Sequence, residues 1–190
     1  MHAVVGLGNP GEKYANTFHN AGFWALDELG KTINAQFSNI SNFKSKVAIC
    51  FIENYKVVLV KPTTYMNLSG TAVVAILQFY KIGVEDLIVV RDDIDMELGK
   101  IKLKQDSSSG GHKGVQSIID ALGSKAFIQV KIGVGRQDNV SDFVLKKLTD
   151  EEKTILAKSA KIAAQATIQI VTEGFEKAAN NYNNRVALDV

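Results

Sequence analysis

The chain is short of the residues that make covalent or structural shortcuts. It has one cysteine, Cys50, in 190 residues. No internal disulfide is possible, and a cysteine-based zinc site is not expected. Cys50 lies among apolar strand residues and reads as inert core. Only two prolines occur, Pro10 and Pro62, and no Gly/Ser-rich linker or repeat breaks the chain. No apolar run reaches 18 residues, and Ala3–Leu7 is too short for a secretory h-region, so a cytoplasmic protein without a membrane partner is expected. Charge of one sign is also lacking. The formal net charge is +2, so any polyanion site has to come from local clustering. No serine sits in a G-x-S-x-G elbow, which removes the commonest hydrolase nucleophile.

What is present fits one globular domain spanning residues 1–190: 46% hydrophobic and 22% charged residues. Ala3–Leu7, Asp86–Val90 and Phe127–Val134 read as buried strands, and Gly99–Lys104 as a half-exposed one. Lys46–Ile52 and Lys56–Lys61 form a hairpin around Glu53-Asn54. Apolar spacing predicts helices over Asn20–Gln36, Leu68–Tyr80 (stopped near Gly83), His112–Leu122 and Thr149–Gly174. The last is capped by Thr149 or Asp150. Strands and helices interleave, and the hairpin makes the sheet mixed. The expected class is α/β, a single domain with a mixed twisted sheet surrounded by helices.

The opening Gly6-x-Gly8-x-x-Gly11 matches the dinucleotide fingerprint. In that fold, however, a helix starts inside the motif and its N-terminus holds the pyrophosphate. Here Asn9 precedes Pro10 and is pushed out of the helical region. Pro10-Gly11 fits a type II turn, and the chain wanders through Glu12–Phe18 before a helix begins. The glycines read instead as devices that bring backbone and the Asn9 side chain to the rim of the first strand.

Three stretches could carry chemistry. His19 stands just before the first long helix, as a base or as a loop histidine. Arg91-Asp92-Asp93-Ile94-Asp95 follows a buried strand, at the end where such folds place ligands. Its carboxylates suit magnesium or a solvated turn. Pro62-Thr63-Thr64-Tyr65-Met66-Asn67 joins a strand to a helix, offering either a cap or a polar ligand contact. A His–Asp pair makes a base that acts on water, and asparagine amides hold a carbonyl or an oxyanion. Lys100, Lys102 and Lys104 alternate with Ile101 and Leu103. They share one strand face about 6.6 Å apart, which suits phosphates or plain solvent. Lys113 and Lys131 could join them. His112 follows Gly110-Gly111 and opens a helix, so its amide side faces whatever sits there.

Taken together, VGLGNPG, TFHNAG, KPTTYMNLSG, VVRDDIDMELGKIKLK, GGHKG and KIGVGR closely resemble, in order and spacing, the bacterial-type peptidyl-tRNA hydrolases. The resemblance implies an esterase that releases peptide from the 3′ end of tRNA, recycling tRNA from stalled ribosomes. It implies a cytoplasmic monomer that needs no cofactor, no metal and no obligate protein partner. It makes His19 the base and Asp92 the residue that orients it. Asn9 would distinguish N-blocked substrates from free aminoacyl-tRNA. Asn67 would bind the substrate end with Met66 beside it, and Tyr14 and Tyr65 would touch the tRNA end or the peptide. His112, Lys113, Lys102, Lys104 and Lys131 complete the expected tRNA-binding set. The family usually reads GGHNG where this chain has Lys113. A lysine cannot accept a hydrogen bond, so a more electrostatic contact is expected there. Two other readings are a non-catalytic RNA-binding protein that keeps the lysine strand, and a dinucleotide oxidoreductase.

Overall fold

A computed structural model describes residues 1–183 and 185–187. Seven strands form one sheet in the order β2-β3-β4-β1-β5-β7-β6. They are β1 (His2–Gly6), β2 (Ser38–Ile40), β3 (Ser45–Ile52), β4 (Tyr55–Pro62), β5 (Leu87–Asp93), β6 (Ile101–Gln105) and β7 (Ile128–Gly133). The central four, β4-β1-β5-β7, run parallel, while β2, β3 and β6 are antiparallel to their neighbours. The parallel strands are covered on both faces, which is why they read as continuous apolar runs. Along β1, Val4 faces one core, while Ala3 and Val5 face the other.

The first core is roofed by α2 (Ala21–Thr32), α6 (Asp150–Glu173) and α7 (Phe175–Tyr182), the second by α3 (Ser69–Tyr80) and α4 (Lys113–Leu122). The α/β class and the mixed sheet agree with the sequence. No helix among the described residues is long and apolar enough to cross a membrane.

The chain leaves β1 towards α2 on one face and leaves β4 towards α3 on the other. A crevice therefore opens at the carboxyl ends of these strands, the place such folds use for ligands. The opening glycines serve this junction. A Cβ on Gly22, in the first turn of α2, would lie 2.3 Å from the Val90 oxygen and 2.4 Å from the Leu7 nitrogen. Those two atoms are themselves hydrogen-bonded across β1 and β5. A Cβ on Gly6 would lie 2.3 Å from the Gly22 oxygen. Two glycines thus let a helix rest directly on strand backbone, and no room is left there for a dinucleotide. Gly22→Ala has no side chain to push aside. It should cost about 1–3 kcal/mol, read as a Tm lowered by about 2–12 °C in thermal melts. An unchanged Tm would show that the junction relaxes freely.

Several local expectations are corrected. Pro10-Gly11 is not a type II turn. Gly11 sits at φ 100°, ψ 149° and precedes a short helix, α1 (Glu12–Ala15). The α3 helix ends at Lys81, which itself takes the left-handed conformation at φ 53°, rather than at Gly83. Three elements carry too little pattern to show in the sequence: β2, α5 (Val140–Leu145), and α7 just past Gly174. Thr149 does cap α6: it accepts from the Glu152 amide, and Glu152 reciprocates to the Thr149 amide. The serine-rich segment 107–109 is tied down. Gln129 in β7 donates to the Ser107 and Ser108 carbonyls, and Arg91 donates to the Ser109 carbonyl.

Candidate active site

The three stretches of the sequence converge on a cavity of about 530 Å³ at the carboxyl ends of β1, β4 and β5. Asn9, His19, Tyr65, Met66, Asn67, Asp92, His112 and Lys113 all line it. That volume is in the ordinary range for a small-ligand site. His19 comes from the 3-10 turn Phe18–Asn20 that leads into α2, and Asp92 from the buried end of β5. The α5 residues Val144 and Leu145 form an apolar wall, which the sequence did not reveal.

Asp92 is the electrostatic centre. Its side chain is 2% exposed, and it accepts hydrogen bonds from two imidazoles. His19 Nδ1 lies 3.0 and 3.1 Å from its two oxygens, and His112 Nε2 lies 2.8 Å from Oδ1. Burial alone would push the carboxyl up. The two histidines outweigh it and hold Asp92 well below the usual carboxylate range.

A carboxylate accepts only, so both facing nitrogens carry protons. The two rings then differ. His112 caps α4, and its Nδ1 accepts from the Gly114 and Val115 amides at 3.2 and 3.3 Å. Both of its nitrogens are used, and burial, outweighing Asp92, keeps its pKa below the ordinary 6.5. His112 therefore stays neutral. Its ring, which lines the cavity, is the second clamp on Asp92. His19 has Nε2 left as an unprotonated nitrogen, on a ring that lines the cavity. Burial lowers its pKa, but the charge and hydrogen bond of Asp92 raise it further, so the net shift is upward from 6.5. A single imidazole is thus prepared to take a proton.

Asn9 is fixed on three sides. Its amide donates to Asn20 Oδ1 at 2.9 Å, its carbonyl accepts from Asn20 Nδ2 at 3.1 Å, and its Oδ1 accepts from the Met66 amide at 2.8 Å. With Oδ1 taken, the Nδ2 donor is what the side chain offers a ligand. Asn20 went unnoticed in the sequence, although it adjoins His19 in the same motif. Met66 is buried, while Tyr65 and Asn67 are exposed on the cavity rim. Gly114 permits this packing, since a Cβ there would lie 2.5 Å from Met66 Sδ. Tyr14 is not brought into the cavity; its ring lies under the Lys13 ammonium at 4.7 Å.

The acidic cluster does not converge on one ion. Asp93 pairs with Arg91 at 3.1 Å and Lys131 at 3.4 Å, and Asp95 pairs with Arg136. The ligand atoms of His19, Asp92 and His112 do lie within 4.8 Å of one another, the spacing of a possible metal site. A cation there would have to displace the protons that both rings direct at Asp92. His112 would also have to lose its last proton while still accepting the two α4 amides. The donor set fits a hydrogen-bonded triad better than an ion.

Beyond the cavity, Lys102 and Lys104 stand on one face of β6, alternating with buried Ile101 and Leu103. Lys102 is opposite Lys131 in β7. Lys131 is partly buried: burial and the nearby Arg91 charge push its pKa down, and Asp93 pairs with its ammonium at 3.4 Å. Lys100 lies before the strand and pairs with Glu97 at 3.1 Å.

A family model described as peptidyl-tRNA hydrolase matches residues 3–189. Among curated relatives, the peptidyl-tRNA hydrolase of Thermodesulfovibrio yellowstonii is 46% identical over 187 residues, covering 96% of this chain and 99% of that one. That of Carboxydothermus hydrogenoformans is 48% identical over 185 residues, covering 96% and 98%. The crystal structure of peptidyl-tRNA hydrolase from Acinetobacter baumannii superposes with a TM-score of 0.92 at 33% identity, covering 98% and 96% of the two chains.

Proposed function

The chain belongs to the peptidyl-tRNA hydrolase family and hydrolyses peptidyl-tRNA in the recycling of tRNA for translation, and from that premise we propose that His19 is its general base and Asp92 the group that orients and charges it. One observation carries the assignment. Of the two imidazoles on Asp92, only His19 keeps an unprotonated nitrogen that is not already accepting from backbone amides, and its ring borders the substrate-sized cavity.

In this mechanism His19 Nε2 takes a proton from water as the water oxygen attacks the ester carbonyl. Asp92 stabilises the imidazolium. The acyl C–O bond breaks, and the imidazolium returns its proton to the departing 3′ oxygen of the tRNA. Asn9 Nδ2 donates to a peptide carbonyl, which a free aminoacyl group lacks beyond the ester itself; this supports discrimination in favour of N-blocked substrates. Asn67 and Tyr65 hold the substrate end at the rim. The proposed enzyme is a cytoplasmic monomer that works without a cofactor. Hydrolysis of N-acetyl-aminoacyl-tRNA in EDTA, beside the same tRNA with a free amino group, tests the whole reading. Release from the blocked substrate alone is expected. Loss of activity in EDTA would overturn the metal-free mechanism.

The pH profile follows from His19. The base form is lost as pH falls through a pKa raised above 6.5, so kcat/KM should fall on the acid side of a midpoint above that value. The Lys113 charge opposes the imidazolium and lowers this pKa. Lys113→Asn should therefore move the acid limb to still higher pH, and a limb that stayed in place would remove Lys113 from the electrostatics of the base.

The acceptor stem is assigned to the β6 lysines. Replacing Lys102 and Lys104 with glutamine should raise KM and reduce the log–log salt slope by roughly 1–2, about one per phosphate contact. An unchanged slope measured across a salt series would place the tRNA elsewhere.

A further inference from the structure

A second cavity, of about 370 Å³, adjoins the first and has no role in the mechanism above. The two share Asn9 as a common wall, and Asn20, which holds the Asn9 backbone, lines the second. The second lies between α2 and the ends of β3 and β4, with Trp24, Lys46, Glu12 and Asp27 on its sides. Its volume corresponds to about a dozen waters, enough for a short piece of chain rather than a solvent niche.

Resting on the assignment of His19 to peptidyl-tRNA, we propose that this cavity binds the peptide beyond its esterified residue, as a second subsite for the residues further from the tRNA. Three observations carry it. The sheet order places the active site at β1 and β5, the lysines assigned to the tRNA at β7 and β6, and this cavity on the opposite side at β4 and β3. An ester held at His19 has two arms, and the lysine face takes the tRNA arm. The arm that remains points across Asn9. Next, the walls carry both signs. Glu12 and Asp27 face the cavity, and the Lys61 ammonium is bonded to Asp27 and lies 4.4 Å from the centre of the Phe37 ring. A mixed, partly aromatic wall suits a peptide and disfavours a phosphate chain. Last, Asn9 is locked by Asn20 on its backbone and by Met66 on its side chain, so the wall between the cavities is rigid and its Nδ2 can mark the start of the peptide.

The test compares N-acetyl-aminoacyl-tRNA with a tRNA carrying a four-residue blocked peptide ending in the same amino acid. The variants are Lys46→Glu, an exposed change on β3, and Trp24→Ala. Both should keep wild-type kcat/KM on the short substrate, which also shows that they fold. Both should lose about tenfold on the long one, the scale of one or two lost pocket contacts. Equal kcat/KM for both variants on both substrates would overturn the subsite. An equal fall on both substrates would also overturn it, pointing to RNA in the cavity. Failure of the wild type on the short substrate would instead strike the assignment of His19 itself.

Discussion

His19→Ala should lower kcat on N-acetyl-aminoacyl-tRNA by a factor on the order of 10²–10⁴, the range for a lost general base, while KM stays near the wild-type value. The split follows from where the residue sits. His19 is in the turn before α2, whereas the lysines assigned to the tRNA are on β6 at the far side of the sheet. His112 cannot substitute. Its Nδ1 accepts two α4 amides and its Nε2 proton is committed to Asp92, so it has no lone pair to offer water. The acid limb of the pH profile should vanish with the base that produces it, leaving a slow reaction of different pH dependence. Loss of a ring that is 12% exposed leaves Asp92 with one imidazole donor, so some stability is lost as well. A thermal melt beside the kinetics separates the two effects. Turnover equal to wild type would remove His19 from the role of base.

Much of this site was legible because its residues hang on recognisable punctuation. Asn9 precedes a proline at the end of a strand, Asp92 closes a buried strand, and Met66-Asn67 lies between a strand and a helix. Each of these signals fixes a carboxyl end, and in an α/β sheet the carboxyl ends converge. The purpose of Gly6 and Gly22 was legible only in part. The Asn9-Pro10 context after Gly6 spoke against a dinucleotide, but the contact that Gly6 and Gly22 serve joins residues sixteen apart in the chain and needed the fold. Roles set by hydrogen bonding were not legible. Nothing in the string GGHKG says that His112 turns its ring onto Asp92, or that Arg91 and Gln129 hold the serine-rich loop beside it. The α5 wall was missed because a six-residue helix has too few turns to show a period. The lysine stripe showed its alternation but not its partners. Asp93, read as a possible metal ligand, in fact takes up part of the charge of Lys131.

The second large effect is expected from Asp92→Asn, and the asymmetry between the two histidines decides how it arises. The substitution keeps size and shape but replaces one acceptor oxygen with an amino group that donates. Two N–H groups now face a side chain with a single acceptor. His112 cannot give way, because the Gly114 and Val115 amides need its Nδ1 lone pair, which fixes its proton on Nε2. The amide oxygen therefore turns to His112, and the amino group faces His19 Nδ1. His19 relieves that donor–donor contact by moving its proton to Nε2, and the nitrogen that should accept from water becomes a donor. kcat should fall by a factor on the order of 10²–10⁴, since the base is present but holds its proton on the wrong atom. The carboxylate that raised the His19 pKa is also gone, so whatever acid limb remains should move to lower pH, opposite to the shift expected from Lys113→Asn. A merely loosened fold would lower the rate without moving the limb in that direction. Wild-type kcat with an unmoved limb would mean that His19 works without Asp92.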